Sequence, residues 1–185
     1  MLLLQDVESG VEILEQHIAT QTNYSAQSVN TDEEFRSFLD RIRFGTHGLV
    51  LWPEGLPIVG RVRKGIVDGA EAHSAFLQCR QESPSGSVFA MSDMRAHFNP
   101  TRMSAISRCC ERMAERLATA CPSCGGGGFG LVATIPGLPC EVCGSPTRRA
   151  RGERFGCASC GASLERSRSD GARSANPSEC EWCNP

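Results

Sequence analysis

Four Cys-x-x-Cys pairs occupy the last third of the chain: Cys121/Cys124, Cys140/Cys143, Cys157/Cys160 and Cys180/Cys183. They account for eight of its eleven cysteines. A Cys-x-x-Cys turn presents two thiolates to one ion, and two such turns complete a tetrahedron of soft ligands. Four thiolates leave no open coordination position, which makes the site structural rather than catalytic. Glycine follows the second cysteine in three pairs (Gly125, Gly144, Gly161) and Asn184 follows it in the fourth. Both residue types tolerate the left-handed backbone of such a turn. The pattern predicts two zinc ions, held by Cys121, Cys124, Cys140, Cys143, Cys157, Cys160, Cys180 and Cys183. An iron–sulfur cluster also takes four cysteines, but knuckles on ribbon hairpins favour zinc.

Three pairings of intact knuckles exist. Sequential pairing closes the shortest loops, while nesting the second and third inside the first and fourth closes one loop roughly three times longer, an entropic difference of about 1 kcal/mol. The hairpin-like run Cys143–Cys157 favours nesting; we expect sequential pairing.

The composition changes at Cys121. Residues 121–185 own few large apolar side chains, among them Phe129, Ile135, Leu138, Phe155 and Trp182. A segment this small and this polar needs a staple, and metal is the one at hand. We therefore divide the chain into a mixed α/β domain, 1–120, and a double zinc-ribbon domain, 121–185. The overall expectation is an α/β fold, a mixed sheet with flanking helices, followed by a small metal-stapled module.

Within 1–120 the periodicities are plainer. Met1–Leu4 reads as a strand, and Val11–Ala19 as a strand or short helix. Thr31-Asp-Glu-Glu34 is a capping box, and its helix puts Phe35, Phe38, Leu39 and Ile42 on one stripe and stops near Gly45. Gly48–Trp52 and Ile58–Arg63 read as strands, and Asp68–Gln78 as a helix with Ala72, Ala75 and Phe76 inward. Ser87–Phe98 reads as a strand leading into a helix over Pro100–Ala120. A strand at residue 2 needs a partner.

On a strand, Asp93, Arg95, His97 and Asn99 share one face. Asn99 would cap the following helix, with Pro100 its first residue. The positive end of that helix, with Arg95, His97 and Arg102, suits an anion. Asp93, Arg95, His97, Asn99 and Arg102 are thus a candidate site for a phosphate-containing ligand. A cap plus a solvated Asp93–Arg95 pair accounts for the same residues. Thr20, Thr22, Asn23, His47 and Lys64 read as structural, and Cys79, Cys109 and Cys110 as ordinary thiols.

Charge separates the function classes only partly. The net charge is -2, so no global basic field points to nucleic acid. Arg148, Arg149, Arg151 and Arg154 cluster between knuckles, with Arg166, Arg168 and Arg173 beyond, yet the segment also carries six acids. Two tetrathiolate zinc sites each add a formal charge of about -2. No run is apolar enough for a leader or a membrane span. We expect a cytoplasmic protein away from membranes, with thiols reduced.

The run Ser92-Asp-Met-Arg-Ala-His-Phe-Asn-Pro-Thr-Arg-Met103, Cys-Pro-x-Cys at 121–124, Gly137-Leu-Pro-Cys-Glu-x-Cys-Gly-x-Pro-Thr147, Gly156-Cys-x-x-Cys-Gly161 and Cys180-Glu-Trp-Cys-Asn-Pro185 resemble a bacterial family, the domain of unknown function numbered 6671. Thr22-Asn23-Tyr24, His47-Gly48-Leu49 and Lys64-Gly65-Ile66 fit it as well. The resemblance implies no established activity. It implies a further N-terminal portion in relatives, so that residues 1–120 would be incomplete against the family.

Three functional readings follow. One is a binding protein whose ribbons dock nucleic acid or a protein partner. Another is an enzyme, or relic of one, acting on a phosphorylated small molecule or nucleotide at Asp93–Arg102, with His97 moving the proton. The third is a structural module that assembles as a homo-oligomer.

Overall fold

The computed structural model describes residues 1–185 and divides into two compact units. One consists of residues 17–108; the other joins residues 1–16 to residues 109–185. The compositional boundary at Cys121 and this grouping by contact are different divisions of the same chain.

The unit 17–108 is a four-stranded antiparallel sheet with helices. Its strands are β3 (Ala26–Val29), β4 (Leu49–Pro53), β5 (Arg63–Ile66) and β6 (Val88–Ser92), in spatial order β3-β6-β4-β5. Two strands of the other unit, β1 (Leu2–Asp6) and β2 (Val11–Glu15), precede them in the chain. Helices α1 (Asp32–Arg41) and α2 (Gly69–Glu82) supply the apolar layer. Phe35, Phe38 and Ile42 from the α1 stripe meet Leu49, Leu51, Ile66, Ala75, Phe76 and Val88 in one buried cluster. The rings of Phe35 and Phe76 stack with centroids 4.3 Å apart. The expected mixture of sheets and flanking helices is therefore present, and every ladder pair is antiparallel.

Local chemistry sets the helix starts. The Thr31 hydroxyl accepts from the Glu34 N–H at 3.2 Å, and the Glu34 carboxylate accepts from the Thr31 N–H, a complete capping box. Asp68 caps α2 by accepting from the Glu71 N–H at 2.9 Å. The end of α1 differs from expectation. Arg43, not Gly45, takes the first left-handed position beyond the helix, with φ +55°. Arg43 N–H donates to Asp40 O, and Phe44 N–H to Leu39 O, the paired bonds of a Schellman end. Glycine is the usual residue there, and a side chain at left-handed φ costs about 1 kcal/mol.

Two strand expectations fail. Residues 58–62 form turns, and β5 starts only at Arg63. Ile58 and Val59 lie exposed beside Gly60, with no layer beneath them to reward alternation. The strand expected over Ser87–Phe98 stops at Ser92, and a short 3-10 turn covers Ala96–Phe98 before α3 (Pro100–Ala118).

The other unit begins with the antiparallel hairpin β1–β2, in register from Leu2 opposite Glu15 to Asp6 opposite Val11. That supplies the partner the first strand requires. Arg116, on the last turn of α3, is buried and donates to Leu14 O at 2.8 Å and to Gly128 O at 3.3 Å. Its guanidinium also lies 3.5 Å from the Glu15 carboxylate. The cysteine-rich part is a three-stranded meander: β7 (Gly130–Pro136), β8 (Ala150–Gly156) and β9 (Ser163–Ser167). Its core is one small cluster of Cys121, Phe129 and Cys157 packed by Phe155 and Ala162. No helix of the chain is long and apolar enough to cross a membrane.

Candidate metal centres and the polar network before the long helix

The meander decides which knuckles meet. Gly130 at the start of β7 sits opposite Gly156 at the end of β8, and Gly156 opposite Ser163 at the start of β9. The knuckle 121–124 precedes β7 and the knuckle 157–160 joins β8 to β9, so both lie at one end of the sheet. At the other end Pro136 faces Ala150, and Gly152 faces Ser167. The knuckle 140–143 joins β7 to β8 there, and the chain leaving β9 returns to the knuckle 180–183. The pairing is interleaved, first with third and second with fourth, and the expected sequential pairing is corrected. Seven residues of β7 separate the two ends by roughly 20 Å, which bars neighbouring knuckles from one ion.

In each group the four Sγ atoms lie within 4.8 Å of one another. Cys121 and Cys160 sulfurs are 3.8 Å apart, as are those of Cys124 and Cys157. Cys140–Cys183 and Cys143–Cys180 measure 3.9 and 3.6 Å. A tetrahedral ion with metal–sulfur bonds of about 2.3 Å has a sulfur–sulfur edge of about 3.8 Å. A disulfide needs about 2.05 Å, and all eleven cysteines are free. The two groups could each hold one metal ion.

The knuckles share one backbone design. Gly125, Gly144 and Gly161 stand at φ +72°, +72° and +74°, and each donates its N–H to the carbonyl of the first cysteine at 2.9 to 3.0 Å. Asn184 makes the same bond to Cys180 O at 2.9 Å but without the left-handed backbone expected of it. In every knuckle the first cysteine is buried and the second exposed. The Ser145 hydroxyl and N–H pull the Cys143 thiol down to about 6. The Cys160 N–H, with that of Ser159, pulls Cys157 to about 6. The Cys183 thiol is pushed up to about 12 by the Cys143 sulfur beside it. Neighbouring thiolates oppose further ionisation, and a cation between them removes that opposition.

The candidate anion residues are dispersed among separate tasks. Because β6 stops at Ser92, Asp93, Arg95, His97 and Asn99 do not form a row on one strand face. Asp93 is 2% exposed and accepts from Gly65 N–H at 3.0 Å, Arg95 N–H at 3.0 Å and the Arg95 guanidinium at 2.6 Å. Burial would raise this carboxyl, but the Arg95 donors outweigh it and hold the group below its ordinary value. Asn99 is fully buried; its Oδ1 caps α3 at Arg102 N–H (2.9 Å), and its Nδ2 donates to Asn23 Oδ1 at 2.8 Å. Arg102 donates to Met94 O at 2.8 Å. His97 is exposed, its ring 4.4 Å from that of Phe98.

Two glycine motifs prove to be parts of this network. A Cβ on Gly48 would lie 2.9 Å from Phe98 Cβ, and Gly48 trades backbone hydrogen bonds of 2.8 Å with Phe98 and Asp93. A Cβ on Gly65, at φ +79°, would lie 2.8 Å from the Arg95 guanidinium. Asn23, Gly48 and Gly65 thus hold the 93–99 segment, a role their spacing in sequence does not signal. His47 and Thr101, also passed over, share a hydrogen bond of 3.0 Å.

A family model described as Domain of unknown function (DUF6671) matches residues 1–185, and the chain belongs to that family. No curated protein and no solved structure matches it.

Proposed function

We propose that the chain is a zinc protein whose cysteine module docks a basic, partly aliphatic segment of a protein partner. Zinc suits four thiolates at tetrahedral edges with no open position. A multi-iron cluster distributes the thiolates over two or four irons and moves those on different irons farther apart than the 4.8 Å that encloses all four sulfurs of each group.

One observation carries the docking reading. Val142 and Trp182 occupy the same position in the two knuckles of the second centre, and they are 71% and 80% exposed. An exposed Trp is the residue type most enriched at binding hot spots. Glu141 directly precedes Val142 and forms no ion pair, Glu181 precedes Trp182 and is balanced by Arg148, and a zinc tetrathiolate adds about -2. That surrounding repels phosphate and attracts lysine or arginine, for which the indole face is a cation–π partner. Four of the seven arginines that suggest nucleic acid are occupied: Arg148 with Glu181, Arg149 with Glu179, Arg154 with Glu165 and Arg168 with Asp170.

The test is titration of the isotope-labelled, zinc-loaded chain with a Lys/Leu peptide, its Glu/Leu counterpart and single-stranded RNA. The Lys/Leu peptide is expected to shift the Trp182 indole resonance, and Trp182→Ala to abolish its binding. RNA binding that weakens steeply with salt and ignores Trp182→Ala would overturn the reading in favour of phosphate contact.

A further inference from the structure

The unit 17–108 contains a cleft of about 1040 Å³ that neither the metal centres nor the Asp93 network uses. Its walls are the segment 17–22, the loop after α1 and the first turns of α3. That volume sits at the upper end of ligand pockets, roughly 300–1,000 Å³. No Asp or Glu lines it, although the chain as a whole is acidic. Arg43 and Arg108 do line it, and neither forms an ion pair with a carboxylate.

At its base His47 is 3% exposed and hydrogen-bonded at both nitrogens. The Thr46 hydroxyl donates to Arg43 O at 2.8 Å, so at 3.1 Å it accepts the proton on His47 Nδ1. Burial and the Arg43 charge lower the basicity of this imidazole and favour its neutral form. In that form Nε2 is bare and accepts from Thr101 Oγ1 at 3.0 Å. Thr101 is the second residue of the 19-residue helix α3, where the backbone favours negative charge.

Arg43 supplies an independent observation. It is the one non-glycine residue at positive φ, in a position that glycine fills without strain. Strain kept at one residue by a fold that has a cheaper alternative marks a side chain in use.

We propose that this cleft binds a phosphorylated small molecule, a phosphate monoester of metabolite size. Arg43 and Arg108 contact the phosphate, the Thr20 and Ser104 hydroxyls are the donors beside them, and Ile18 and Ala105 flank the organic part. An oxyanion with several acceptor oxygens matches a cleft that offers guanidiniums and hydroxyls and no carboxylate.

Calorimetric titration of the metal-loaded full chain tests this with adenosine 5′-monophosphate, ribose 5-phosphate, adenosine and citrate. Both phosphates are expected to bind at least about tenfold more tightly than adenosine or citrate. Arg108→Ala and Arg43→Gly should each weaken phosphate binding at least about tenfold, while Arg43→Gly leaves the melting midpoint no lower. Three results would overturn the proposal. One is that neither phosphate binds at millimolar concentration. Another is that adenosine or citrate binds equally well. The last is that both arginine variants bind like the parent chain.

Discussion

Asp93 shows how much a single side chain organises in this protein. Its carboxylate gathers the Gly65 N–H, the Arg95 N–H and the Arg95 guanidinium, and so turns the chain from β6 toward α3. Removing the charge with Asp93→Asn should cost about 2 kcal/mol at neutral pH, measured by denaturant unfolding. The sign with pH follows from the held-down carboxyl. Its stabilisation is complete above the ordinary value of 3.8 and is lost as pH falls through the lower folded-state value. The gap between parent and variant should therefore narrow once pH drops below about 4, and a gap that widens there would refute the assignment. Little of this was legible in the sequence. Gly65 is 28 residues from Asp93, and only folding brings the two together. Residues whose partners are local, such as Thr31 and Glu34, and residues repeated at fixed spacing, the eight cysteines, were readable.

At the scale of elements, strand order settled what loop entropy left open. Loop lengths separated the knuckle pairings by only about 1 kcal/mol, whereas an antiparallel meander forces alternate knuckles to opposite ends. The strands were hard to read because the sheet buries so little: every residue of β9 is exposed, and β8 carries Arg151, Glu153 and Arg154 among its seven. Apolar alternation is the signal of a half-buried strand, and these strands lack it. Helices α1 and α2 were read correctly at their capped starts, while each ended about a turn away from the expected residue. Hairpin β1–β2 reaches the cysteine-rich part through Arg116, another link invisible in sequence. Arg116→Met leaves Leu14 O and Gly128 O without a donor and should destabilise the chain by about 2 kcal/mol, read as a lowered midpoint with metal content unchanged.

For the whole molecule, two supports of different kind emerge. Residues 17–108 are held by an apolar cluster of thirteen buried residues, and would keep a core without any ion. The cysteine-rich part has one small cluster of Cys121, Phe129 and Cys157, with Leu138, Cys140, Ala175 and Cys180 buried apart from it. Below about 70 residues such a core cannot offset the entropy of ordering the chain, so the binding free energy of a metal ion held there would be folding free energy. The α/β reading and the metal-stapled tail were legible because composition alone separates a chain with a core from one without. The pairing of the knuckles and the cleft beside His47 depend on contacts between distant segments, and were not.

The most direct test is the metal count of the folded chain, taken by native mass spectrometry on three proteins. The parent chain should carry two zinc ions. Cys124→Ser/Cys160→Ser, with both substitutions in one group, should retain one ion. Cys124→Ser/Cys143→Ser, with one substitution in each group, should lose tight binding at both centres. A folded chain without metal, sulfurs joined as disulfides, or the two double variants exchanging these outcomes would contradict the account.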